Sequence, residues 1–145
     1  MTAREYLRRP FLLQQEIDRK TRRVSFLRRR STRLTAAPKQ DRVRSTPDPA
    51  RMQAFLAEAA DEEREILRLE NEQKEALIDS ALVISLLPEE TLVMLMEMRY
   101  LERRNWDDIA RTLSLCENSV YRLHRRAMIF LDALPEIRNA ACEPE

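Results

Sequence analysis

Residues 98–131 read MRYLERRNWDDIARTLSLCENSVYRLHRRAMIFL, and their spacing decides the fold. Asn105 is a natural N-cap, and Asp107 and Asp108 sit in the turn that follows, where carboxylates suit the positive end of a helix dipole. Trp106, Ile109, Ala110 and Leu113 recur at the spacing of one helical face, which predicts a short helix over 106–113. Ser114, Leu115 and Cys116 make a tight connection. From Glu117 to Leu134 the apolar positions Val120, Leu123, Ala127, Phe130/Leu131 and Leu134 mark the buried face of a longer helix. Its other face carries Glu117, Asn118, Ser119, Arg122, Arg125 and Arg126. Upstream, Pro88-Glu89-Glu90 is an acidic helix start; Leu92, Leu95, Met96, Met98 and Leu101 give that helix an apolar stripe, and it is expected to end near Arg103-Arg104-Asn105.

Helix, short helix, three-residue turn and longer basic helix is the helix-turn-helix pattern. Its expected core is Trp106, Ile109, Ala110, Leu113, Leu115, Val120, Leu123 and Ala127. Ala110 is small where the two helices cross, and Leu115 is the one bulky apolar residue available to plug the turn. The second helix of such a motif lies in a DNA major groove, where arginine forks pair with guanine or clamp phosphate and asparagine pairs with adenine. Glu117, Asn118 and Ser119 are therefore candidate base readers, Arg122, Arg125 and Arg126 candidate DNA contacts, and Arg103, Arg104 and Arg111 candidate phosphate contacts. The plainer readings are helix capping for the first three and solvated charge for the arginines, with Arg126 also within reach of an internal carboxylate such as Glu97.

The same run resembles region 4 of sigma factors. The matching residues are Met98-Arg99-Tyr100, Trp106-Asp107-Asp108-Ile109-Ala110, Leu113, Val120, Leu123-His124 and Arg126-Ala127. The chain is also similar to small phage and prophage proteins of Gram-positive bacteria, relatives of phage late-gene activators, through Ala3-Arg4-Glu5-Tyr6-Leu7, Glu16-Ile17-Asp18-Arg19-Lys20 and the Tyr121-Arg122-Leu123-His124 phrase. The resemblance implies a DNA-binding transcriptional regulator. No segment resembles the promoter-melting region 2 of a sigma factor. Two departures stand out: Leu115 is read at the place of the usual turn glycine, so that the turn should avoid left-handed backbone angles, and Cys116 replaces the usual Ser/Thr cap, a weaker acceptor.

Composition narrows the field. Among 145 residues there is no glycine, which removes phosphate-binding glycine loops and the tightest hairpin turns, and makes a β-rich fold improbable. One histidine and two cysteines, Cys116 and Cys142, supply neither a zinc spacing nor a catalytic constellation, so no enzyme activity, metal or cofactor is expected. His124 reads as a packing residue, as do Trp106 and Tyr100. Apolar runs such as 81–84 and 92–96 fall far short of the roughly 18 residues that span a bilayer, and no apolar signal region is visible, so a cytoplasmic protein is expected.

Net charge is +1, yet residues 1–51 carry 15 Lys/Arg against 5 Asp/Glu, and residues 52–98 carry 3 against 12. Such asymmetry points to a polyanionic partner or to segments that neutralise each other. Leu13, Ile17, Val24, Phe26/Leu27 and Leu34 recur at helical spacing, predicting a short helical lead-in over 3–9 and one helix over about 11–35. The proline-rich stretch 36–50 reads as a linker or an ordered loop. Asp48-Pro49 resembles an N-cap with Pro in the first helical position, and Met52, Phe55, Leu56, Ala59, Ile66, Leu69, Gln73, Ala76/Leu77, Ser80 and Val83/Leu87 step on in threes and fours.

The expected fold is all-α: an N-terminal helical hairpin or coiled coil over 1–87, a tri-helical helix-turn-helix unit over 88–135, and a frayed tail over 136–145. The expected partners are double-stranded DNA, a second copy through the N-terminal helices, and RNA polymerase. The alternative is a helical adaptor of phage assembly or packaging, in which the same C-terminal helices bind protein.

Overall fold

The computed structural model describes residues 1–35 and 48–140. Every regular element in them is helical: α1 (Ala3–Thr35), α2 (Pro49–Ser85), α3 (Glu90–Met96), a π-helical segment (Glu97–Leu101), α4 (Trp106–Leu113), α5 (Glu117–Asp132) and α6 (Pro135–Asn139). None of these helices is long and apolar enough to cross a membrane. Most of the expected linker, 36–47, lies outside the described residues, as do 141–145 and the side chain of Leu34. Pro49 opens α2, as the Asp48-Pro49 pattern predicts, so the helix takes Pro49 and Ala50 from the end of the stretch 36–50. Asp48 caps that helix, its Oδ1 accepting the Ala50 N–H at 3.1 Å.

The chain divides into two compact units, one built from Met1–Phe11 with the chain from Gln73 onward, the other within Leu12–Glu72. A boundary at 87/88 would have separated Ala3, Leu7, Val83, Ile84 and Leu87 from the core they share with Leu95, Ile109, Val120 and Leu131. The expected break at Pro10 is absent: α1 runs through it. An interior proline costs a helix roughly 3 kcal/mol. Here Pro10 is buried, and its carbonyl accepts Gln73 Nε2 at 3.3 Å. The start of α1 is fixed by a capping box that the sequence reading passed over: Glu5 Oε2 accepts the Thr2 N–H at 2.7 Å and Thr2 Oγ1 accepts the Glu5 N–H at 3.2 Å. Asp132, at the end of α5, accepts the Ala3 N–H at 2.6 Å.

The frayed tail is likewise corrected. Pro135 starts α6, and Ile137 is fully buried in the main core. Burying such a side chain contributes about 1.5–3 kcal/mol, enough to hold a single helical turn in place. α3 also departs from expectation. It gives way at Glu97 to a π-helical turn, and Arg103 then takes a left-handed conformation (φ 60°) that ends the run. On α5, Val120, Ala127 and Leu131 are buried and Leu123 and Leu134 half-buried, whereas Phe130, read as inward, is exposed.

Within Leu12–Glu72, the inward residues of α1 are Leu13, Ile17, Lys20, Val24, Leu27 and Ser31, spaced by alternating fours and threes. Met52, Phe55, Ala59, Glu62, Ile66 and Leu69 of α2 follow the same rhythm. Val24, Leu27 and Ala59 form a buried cluster with Phe55 and Ile66 packed on it. Lys20 and Glu62 occupy apolar-seam positions and pair with each other at 3.1 Å, their side chains only 18% and 22% exposed. Arg23–Glu58 and Arg28–Glu63 add exposed pairs. Exposed pairs contribute only about 0.2–1 kcal/mol each, so the apolar cluster carries most of the stability and the Lys20–Glu62 pair fixes the register.

A double-mutant cycle tests that assignment. Glu62→Leu alone leaves Lys20 without its partner at a half-buried position and is expected to lower the unfolding free energy by about 1–3 kcal/mol in urea titrations. Lys20→Leu/Glu62→Leu together should recover that loss, and the helix register should then be less well fixed.

Candidate nucleic-acid interface

α4 and α5 are joined by a turn that the sequence reading placed one residue late. Ser114, not Leu115, takes the left-handed conformation, at φ 55° and ψ 40°. The Leu115 N–H then reaches back to the Ala110 carbonyl at 2.9 Å and the Ser114 N–H to Arg111 at 3.2 Å, which is the Schellman closure of a helix end. So the turn does use left-handed angles, and it uses them at a residue bearing a Cβ because the chain has no glycine to offer. Leu115 is freed to pack half-buried against the core.

Ile109, Ala110, Val120 and Ala127 are buried at this crossing, and Trp106, Leu113, Leu115 and Leu123 pack around them. Asn105 caps α4, its side chain accepting the Asp108 N–H at 2.8 Å. Cys116 makes no cap bond to the backbone of α5; its sulfur lies 3.1 Å from Ser119 Oγ, and that hydroxyl lowers the thiol's proton affinity. Ser119 is therefore occupied locally rather than free to read a base. Glu117 faces Asp107, and the neighbouring carboxylate raises its pKa above the ordinary range.

The arginines sort into two groups. Arg111, Arg122 and Arg125 are exposed and make no ion pair among the described residues. Arg122 and Arg125, with Asn118 and Tyr121, line a shallow groove of about 310 Å³ on the outward face of α5. The others are engaged. Arg126 pairs with Glu89 at 2.5 Å, an internal carboxylate but not the anticipated Glu97. Arg104 is folded inward: it pairs with Glu102 at 2.9 Å and lies 3.7 Å from Asp108, and it donates to Thr112 Oγ1 at 3.3 Å. Arg103 stacks on Phe11, its guanidinium carbon 4.1 Å from the ring centroid.

Behind the outward face, His124 is half-buried among aromatic rings. Its Nε2 shares a hydrogen bond of 2.8 Å with the Tyr100 hydroxyl, and Trp106 meets it edge-on at 4.9 Å between centroids. Burial, then the charges of Arg4 and Arg99, lower its pKa to about 4. Burial likewise raises that of Tyr100. The side chain is a neutral packing group at neutral pH.

Comparison of the chain with family models, with curated proteins and with solved structures finds no match.

Two measurements follow from this geometry. Ser114→Gly removes the Cβ from a left-handed position and is expected to raise stability by about 0.5–1 kcal/mol in urea melts, provided the α4–α5 angle is kept. The folded chain holds His124 neutral down to a pKa of about 4, whereas an unfolded histidine protonates near 6.5. The unfolded state thus binds more protons over that interval, so this contribution is whole above pH ~6.5 and is lost as pH falls toward 4. The stability difference between the native chain and His124→Gln should shrink across that window, as read by thermal melts at matched ionic strength.

Proposed function

We propose that the chain is a sequence-specific DNA-binding transcriptional regulator, with α4 and α5 acting as a helix-turn-helix similar to sigma region 4 and α5 entering the major groove. The observation that carries this reading is the α5 face itself: Asn118, Tyr121, Arg122 and Arg125 lie together, outward, with neither arginine neutralised among the described residues. Asn118 and Arg122 are the base-reading residues, because they stand in the first two turns of the helix, where base edges come nearest. Arg125 and Arg111 serve the phosphates. Glu117 beside Asp107 opposes the backbone charge and acts against indiscriminate binding.

Arg126 and Arg104 leave the list of primary contacts, because each pairs with a carboxylate inside the protein; Arg103, laid on Phe11, lines a cavity with Arg4, Arg8 and Arg99 and not the α5 groove. The basic character of α1 is partly spent in the same way, on Glu58, Glu62 and Glu63. That supports α1 and α2 as a coiled-coil-like pair rather than as a second DNA-binding arm. The partners of this reading are duplex DNA, a second copy of the chain so that two half-sites are read together, and RNA polymerase. Phage or prophage origin rests on the resemblance alone; the cytoplasmic setting rests on the short apolar runs of the sequence.

Fluorescence anisotropy against a duplex from the region upstream of the chain's own gene tests it. Affinity should fall steeply with salt. Arg122→Ala should cost about 1–3 kcal/mol and relax sequence preference, Arg125→Ala should reduce the salt slope by about one, and Arg126→Ala should do less than either. Salt-insensitive behaviour with all three variants unchanged would sink the DNA reading and favour a protein-binding adaptor.

A further inference from the structure

The unit that holds α5 has a second concentration of positive charge, distinct from the α5 groove. A cavity of about 520 Å³ lies among the first turns of α1, the π-helical segment and the start of α4. Arg4, Arg8, Arg99 and Arg103 line it, and no carboxylate does among the described residues. Arg4 and Arg8 stand one turn apart on α1 and form no ion pair among the described residues. Like charges at that spacing repel.

The other two arginines are held in place without being neutralised. Arg99 donates to the Arg104 carbonyl at 3.0 Å and lies 4.4 Å from the centroid of the Trp106 ring. Arg103 rests on Phe11. The backbone that delivers them is irregular: a π-helical turn carries Arg99, and a left-handed residue with a Cβ is Arg103 itself. Both features cost free energy and recur where a chain positions groups for a ligand.

We propose that this cavity binds a small multivalent phosphate compound, with two linked phosphate groups seated among Arg4, Arg8, Arg99 and Arg103. Each phosphate group carries about −1.5 to −2 charges near neutral pH, so two of them match four guanidiniums where one would not. Arginine's planar fork binds phosphate oxygens in pairs, which a cluster of lysines would not do. The cavity falls within the roughly 300–1,000 Å³ of small-molecule sites. Arg4 and Arg99 also disfavour a proton on His124, so the cavity is electropositive before any ligand arrives. This site does not rest on the DNA reading, and it differs from it in stoichiometry and in residues.

Calorimetric titration of the full chain with inorganic pyrophosphate at low salt is the test, followed by duplex DNA. One site per chain is expected, with Arg4→Gln/Arg8→Gln raising Kd at least tenfold and Arg122→Gln/Arg125→Gln leaving it unchanged. The first pair leaves the buried Ala3 and Leu7 in place, and Arg103→Gln gives an independent loss through a different element; melting curves confirm that each variant folds. Absence of pyrophosphate binding at millimolar concentration overturns the proposal, as does equal loss in the Arg122/Arg125 variant. If pyrophosphate does not bind and Arg4→Gln/Arg8→Gln weakens duplex binding instead, the cavity is a seat for the DNA backbone and the small-molecule proposal fails.

Discussion

A chain without glycine must still reverse direction, and here two residues with side chains adopt the left-handed backbone that makes this possible. Ser114 and Arg103 are the two positive-φ residues among those described. Each costs on the order of 1 kcal/mol relative to glycine. Each is held by what it enables. Ser114 closes α4, aims the Leu115 N–H at Ala110 and turns Leu115 inward, and thereby sets the angle at which α5 leaves the core. Arg103 closes the π-helical segment and lays its guanidinium on Phe11. The outward face of α5 and the arginine-lined cavity both depend on these two reversals.

The helices and the crossing of α4 with α5 were legible because periodicity and capping are local. Asn105 as cap, the bounds Trp106–Leu113 and the start at Glu117 follow from residues within one turn of each other. What the sequence did not yield were pairings over distance. Nothing near Arg126 names Glu89, and nothing near Ile137 announces that the end of the chain returns to a core shared with Leu7 and Ile84. Two signals were there to be read. Thr2-Ala3-Arg4-Glu5 is a capping box in plain view, and arginines at 4/8 and 99/103 repeat one spacing at two places far apart in the chain. An absent glycine does not mark where the left-handed residue falls: in a Schellman closure it comes first, here at Ser114, and the apolar residue, here Leu115, follows.

Seam positions filled by charge were also hidden from a search for apolar residues. Lys20 and Glu62 look like interruptions of two stripes until they are set opposite each other, at which point both stripes become continuous. A polar pair in an apolar seam sacrifices some stability and fixes alignment, since a slip of one turn would bury each charge alone.

Two sets of cations are held in opposite ways. Within Leu12–Glu72 the cations Lys20, Arg23 and Arg28 are answered by carboxylates, which cancels their charge and leaves geometry as their contribution. In the other unit Arg99 and Arg103 are placed by the faces of Trp106 and Phe11 and by a carbonyl. A ring fixes a guanidinium without neutralising it, so position is specified and the positive potential survives. Carboxylates close at hand would have held the arginines more tightly, but an anionic ligand would then have to displace them. Orientation by aromatic rings is the arrangement that favours binding phosphate over internal cohesion, and Trp106, edge-on to both Tyr121 and His124, touches one residue lining each of the two cationic surfaces.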